Sequence, residues 1–285
     1  MSNAILAYGN LIDAAAIYGG SWLPALPLAN LQDRRLGKLA RSTNATTGST
    51  QFDLNLGATK LVRVVALVNH NLSVVAQYRV LCATDAAFVS VVADSGWLDV
   101  WPVVYPFGSL PWGSSSWWGG RTSDDIIAEL RAPAAYTLAA ATNAQYVRIE
   151  IADATNAAGY VQLGRVFVGD GWQPVRNMVY GASLAWENRS EVQEALSGAE
   201  YFNRRSTPRV ARISFEGMSE DEAMAAALEM QRIAGVTQEV FFLWDPADTT
   251  HSLRRQFLGR LRTLSPIENP GPDRWRAPFE VKELL

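Results

Sequence analysis

Between residues 51 and 168 apolar side chains come in short runs broken by turn residues, and no long stretch repeats at helical spacing. Phe52, Leu54 and Leu56 alternate with Asp53 and Asn55, the period of a strand with one buried face. Residues 61–68 (LVRVVALV) are more continuously apolar, as a strand covered on both faces would be. Val147, Ile149 and Ile151 alternate with Arg148 and Glu150, and residues 160–168 close the series. Short strands separated by turn signals predict an antiparallel β-sandwich.

Beyond this region the pattern changes. Gly169, Gly171 and Pro174 mark a boundary, with Gly169-Asp170-Gly171 read as a turn, which divides the chain into residues 1–172 and 173–285. In the second part, residues 210–215 are strand-like and are followed by Ser219, with Glu222 three positions on, a capping-box pattern; Gly235 stands where a helix ends. The spacing predicts a helix over 220–234. Ala223, Ala226, Ala227, Met230 and Ile233 lie along one face, and Met224 and Leu228 on an adjoining stripe, so cover on more than one side is expected. Residues 239–244, 256–261 and 275–281 read as three more strands, making this part α+β.

The 285 residues with 48% hydrophobic content are ample for packed cores. The N-terminal residues lack the basic and apolar regions of a signal peptide, and no apolar run approaches the ~20 residues of a membrane helix, so no membrane insertion is expected. A net charge of −3 argues against a dedicated nucleic-acid binder. Of the 25 basic residues only Lys38, Lys60 and Lys282 are lysine. Arginine suits fixed, partly buried ion pairs and interfaces, although a compositional bias of the genome would produce the same count. Cys82 is the single cysteine and lies in an apolar run, which excludes an intrachain disulfide and a thiolate metal cluster.

Residues 101–120 (WPVVYPFGSLPWGSSSWWGG) are an aromatic cluster spaced by Gly, Ser and Pro. Large aromatic rings on a loop mark recognition, because apolar surface left in water costs ~25 cal/mol per Å2. Trp112, Trp117 and Trp118 are candidates for stacking on sugar rings, for insertion between subunits, or for folding back on their own sandwich, with Arg121 beside them. Asn69, His70 and Asn71 follow a strand, and His70 and Asn71 are further ligand candidates; His70 and His251 are the only histidines, so no His-based metal site is expected. Asp124, Asp125 and Glu129 read as solvated residues at a helix start capped by Thr122 or Ser123. No nucleophile elbow, zinc-protease His pair, phosphate-binding Gly-Lys loop or dinucleotide fingerprint is present, and neither enzymatic activity nor a cofactor is expected.

Residues 22–35 (WLPALPLANLQDRR), 40–43 (ARST), 52–57 (FDLNLG), 64–72 (VVALVNHNL), 145–151 (QYVRIEI) and 164–169 (GRVFVG) resemble galactose-binding-like (discoidin-type) jelly-roll modules of phage tail proteins. The strand, capped helix and aromatic strand of residues 210–244, followed by Asp245-Pro246, resemble the tube-like domain of distal tail or baseplate proteins of long-tailed bacteriophages. The resemblance implies a mainly β virion component made in the host cytoplasm. Its second domain would form a homo-oligomeric ring through Met224, Leu228, Met230 and Trp244. Its partners would be other tail proteins (tail tube, baseplate hub) and a host-surface glycan. The alternatives are a carbohydrate-binding module working through the aromatic loop, and a cell-wall or capsule glycan hydrolase.

Overall fold

The computed structural model describes residues 2–114, 116–117, 119–122, 127 and 131–285. The chain is mainly β, and its strands pair antiparallel throughout. The first half carries β1 (Ile5–Tyr8), β2 (Ala16–Tyr18), β3 (Ala40–Arg41), β4 (Phe52–His70), β5 (Gln77–Ala83), β6 (Val91–Asp94), β7 (Leu98–Asp99), β8 (Ala134–Ala152) and β9 (Gln162–Trp172). The second carries β10 (Ser183–Trp186), β11 (Glu191–Glu194), β12 (Glu200–Asn203), β13 (Arg209–Met218), β14 (Val240–Leu243), β15 (Gln256–Leu261), β16 (Glu268–Gly271) and β17 (Arg274–Glu283).

One sheet runs through both halves in the order β10-β13-β17-β15-β14-β1-β9-β4-β8-β5-β6, and β11 and β12 pair only with each other. Its centre is β1, which pairs with β14 along one edge and with β9 along the other. The two runs expected over 52–56 and 61–68 are one bulged strand, β4. Val62, Val65 and Leu67 face the sandwich core, while Val64, Ala66 and Val68 face a second apolar cluster, which explains the unbroken apolar run. That second cluster unites Ile5, Ala7 and Phe167 with Phe241, Leu243 and Leu258 and so joins the two halves.

The turn expected at Gly169-Asp170-Gly171 is instead the extended end of β9. These glycines serve packing: a Cβ on Gly171 would lie 2.8 Å from the Ile5 side chain, so only glycine lets β1 approach here. Trp172, at the expected boundary, packs against Phe215 and Phe279 in the core of the second half.

Residues 220–234 form the expected helix, widened to π spacing over Ala223–Leu228. The Ser219 hydroxyl accepts from the Glu222 amide, and Gly235 ends the helix with φ +50. The return arm of the capping box is diverted. The Glu222 carboxylate accepts from the Val175 amide (2.9 Å) and Trp172 Nε1 (3.4 Å), fastening the helix start to the connection between the halves. Ala223, Ala227, Met230 and Ala234 are buried, whereas Leu228 and Ile233 are exposed, so the helix is covered on one side of the chain only. Ile233, expected on the packed face, is exposed: Ala223, Ala227, Met230 and Ala234 form the buried stripe at i, i+4, i+7 and i+11 spacing, and Ile233 lies at its edge.

Candidate functional site: a histidine pocket beside an aromatic loop

Next to the last residue of strand β4, Asn69 takes a left-handed conformation (φ 54) and donates from its side-chain amide to the Leu36 carbonyl. The next residue, His70, lines a pocket of about 310 Å3 together with Leu72, Trp101, Arg131 and Ala132. The imidazole meets the Trp101 ring edge-on, with centroids 5.6 Å apart. Trp101 is itself buried and donates from its indole nitrogen to the Leu72 carbonyl, so it forms a fixed wall. Both ring nitrogens of His70 are shielded, and among the described residues neither makes a hydrogen bond of good geometry, although the Ala132 backbone lies close enough to favour the protonated ring. Burial pulls its pKa down to about 4 against the opposing pull of Asp153 and the Ala132 backbone, so the ring is neutral at neutral pH. A neutral imidazole offers one donor and one acceptor, which matches a hydroxyl.

Asn71 does not contribute an open amide. Its nitrogen donates to the Tyr160 carbonyl and its oxygen accepts from the Gln162 amide, so the side chain closes a loop. Arg121 is likewise committed, to the Val74 carbonyl and to Asp99 (2.7 and 2.8 Å). Both were ligand candidates in the sequence, and both have their polar groups taken by the fold.

Arg121 and Trp101 pin the two ends of the aromatic loop. Between them the amides of Val104 and Tyr105 both donate to the Gly120 carbonyl at 2.8 Å, closing a neck. Gly120 has φ +60, and a Cβ there would fall 2.3 Å from the Tyr105 carbonyl oxygen, so the neck requires glycine. Beyond it Phe107 is 87% and Trp112 77% exposed. Trp117 is half-buried between them, with ring centroids 6.2 Å from Phe107 and 5.2 Å from Trp112. The rings therefore pack on one another while keeping faces open to solvent. Trp118, Asp124, Asp125 and Glu129 lie outside the described residues.

Among the interface candidates, Met230 is enclosed in the core of the second half and offers no surface; Met224 and Trp244 pack against the rim of that core, and Leu228 is exposed. Among the described residues no cluster of His, Cys, Asp and Glu has the makings of a metal site. Sequence reading missed Trp101 and Arg131 as pocket residues. The signal for Trp101 was its place at the head of the aromatic run, immediately before a proline, where a buried anchor begins the loop. The thiol of Cys82 is buried and pushed up to about 12, in keeping with a small core residue.

No protein-family model matches the sequence, and no curated protein matches it. Solved structures with a similar arrangement include the family 32 carbohydrate-binding module of C. perfringens NanJ in complex with galactose. It is 12% identical, with a TM-score of 0.38 over 58% of this chain and 99% of that one. The lectin domain of lectinolysin complexed with Lewis B antigen is 17% identical, with a TM-score of 0.37 over 56% and 95%. A Streptococcus pneumoniae fucose binding module is 14% identical, with a TM-score of 0.36 over 57% and 95%. These neighbours are lectin-type carbohydrate-binding domains.

Proposed function

We propose that this chain is a non-catalytic recognition protein that binds neutral saccharide at the His70 pocket, with the aromatic loop as an adjoining platform. The observation that carries the proposal is the shielded imidazole, whose nitrogens make no well-formed hydrogen bond among the described residues. Leaving a buried polar group unsatisfied costs about 1–3 kcal/mol, and sugar hydroxyls, one reaching each ring nitrogen as the pocket admits them, would recover it. Exposed faces of Phe107 and Trp112 supply apolar area of the kind that packs on the C–H face of a pyranose. The test is calorimetric titration with galactose, fucose and short neutral oligosaccharides. The variant His70→Phe keeps an aromatic ring and removes both nitrogens; it is expected to weaken binding about tenfold or more without lowering the melting temperature. Absence of saccharide binding by the parent chain, or equal binding by the variant, would overturn the proposal.

A second reading, a structural component of a phage tail tip, is supported by one further feature. The ribbon of β11 and β12 is exposed at every residue and carries Val192, Tyr201 and Phe202, apolar surface suited to assembly.

A further inference from the structure

A cavity of about 810 Å3 lies between the two halves. One wall follows β8 through Ala135, Tyr136, Thr137, Leu138 and Ala139. Side chains alternate between the faces of a strand, so a cavity touched by five consecutive residues runs along the strand's edge. That edge is open. Strand β4 pairs with residues 134–137 of β8 on one side, while on the other β5 takes up only residues 146–152.

Arg63 also lines this cleft. Its guanidinium donates to the Gln173 side chain and, at 3.4 Å, to the Gly171 carbonyl. Its Nε is shielded without a partner, and among the described residues no carboxylate pairs with it. The cleft's own acids are already engaged: Asp99 with Arg121, Asp248 with Arg255, and Asp245 with the amide and hydroxyl of Ser2.

The β11–β12 ribbon has complementary properties. A lone two-stranded ribbon is marginally stable in water. In this one Glu194 stands directly opposite Glu200, a like-charge pair that weakens it further. Its tip is narrow, built from Ala195, Leu196, Ser197, Gly198 and Ala199 and closed by the Ala195 amide donating to the Ala199 carbonyl, with Leu196 fully exposed.

We infer that the ribbon of one copy of this chain enters the cleft of a second copy, adding a strand to the open edge of β8. Leu196 then packs against the apolar walls at Pro102, Val103 and Pro246, and the Glu194–Glu200 pair meets the Arg63 guanidinium. The inference rests on the assembly reading and is independent of saccharide binding. Such a contact is head-to-tail, joining two different surfaces, so it either closes a ring or continues as a filament.

The test uses full-length chains carrying Leu196→Cys or Ala139→Cys, co-expressed under different tags and mildly oxidised. Both positions are exposed, so each variant should keep the parent's melting temperature, and Cys82 is buried. A disulfide joining the two differently tagged chains is expected. Light scattering should show a mass of two or more chains for the parent, falling to one for Glu194→Arg combined with Glu200→Arg. An oligomer without the cross-link would overturn the ribbon-and-cleft pairing while leaving assembly standing. A parent chain of monomeric mass at every concentration would overturn both.

Discussion

Arg165 is fully buried, and each nitrogen of its guanidinium donates, to Glu239, to Asp13 or to the Leu31 carbonyl. Arg209 is buried in the same manner against Glu283 and the carbonyls of Leu253 and Arg254. The preference for arginine over lysine therefore has a structural use at these two positions: a planar fork can satisfy several acceptors at once inside a core. Composition made that use legible, but not which arginines are enclosed, because the buried carboxylates they meet, Glu239 and Glu283, each stand 74 residues away. Changing Arg165 to Met should cost about 3–5 kcal/mol, since Glu239 would remain buried without a cation. The double change Arg165→Met with Glu239→Gln should recover part of that loss in urea denaturation. His70 leads to a pH dependence of known sign. Its folded pKa of about 4 lies below the ordinary histidine value of 6.5, so between these limits the unfolded chain binds the proton and the folded chain does not. The stability this residue contributes above pH 6.5 is lost as pH falls towards 4, by at most about 3 kcal/mol. In denaturation series across that window, the slope should flatten in His70→Phe; an equal slope in parent and variant would contradict the assignment.

Elements were legible in the sequence where a pattern was long or where a cap marked it. The helix over 220–234 is such a case, because Ser219 and Gly235 fix its two ends. Its π turn was not legible, since the spacing of Ala223, Ala226, Ala227 and Met230 suits either winding until tertiary contacts choose one. Two substitutions separate the faces that result. Met230→Glu places a charge in the second core and should remove most of the stability of that half, several kcal/mol, whereas Leu228→Glu should leave the melting temperature within a degree or so. Equal effects from the two would mean that the buried side has been misassigned. The aromatic loop was recognisable from Trp112 and Trp117 against their Gly and Ser background. The pocket beside it was not, because Arg131 and His70 are far apart in the chain and meet only when β4 and the segment preceding β8 are brought together. The β11–β12 ribbon carried only a weak signal, two four-residue runs, and was passed over.

At the scale of the molecule, the shared strand and the shared apolar cluster couple the two halves. Calorimetry of the full chain should therefore show a single transition. Residues 1–172 alone keep the sandwich core but lose β14 from the edge of β1, Phe241 from the face of Phe167, and Glu239 from Arg165. That fragment should retain a β-type circular dichroism spectrum and melt well below the full chain; an equal melting temperature would show that the halves are energetically independent. The change of pattern near residue 172 was readable from Gly169, Gly171 and Pro174. The bridging role of β1 was not, because four residues carry too little periodicity to name partners at Asp170 and Val240. The position of β1 also sets an order in time. It leaves the ribosome well before either strand that flanks it, β9 comes next, and β14 emerges only after most of the second half has been made. The middle of the sheet is thus completed late although it contains the earliest strand, and throughout translation its unpaired edges are available for wrong pairings.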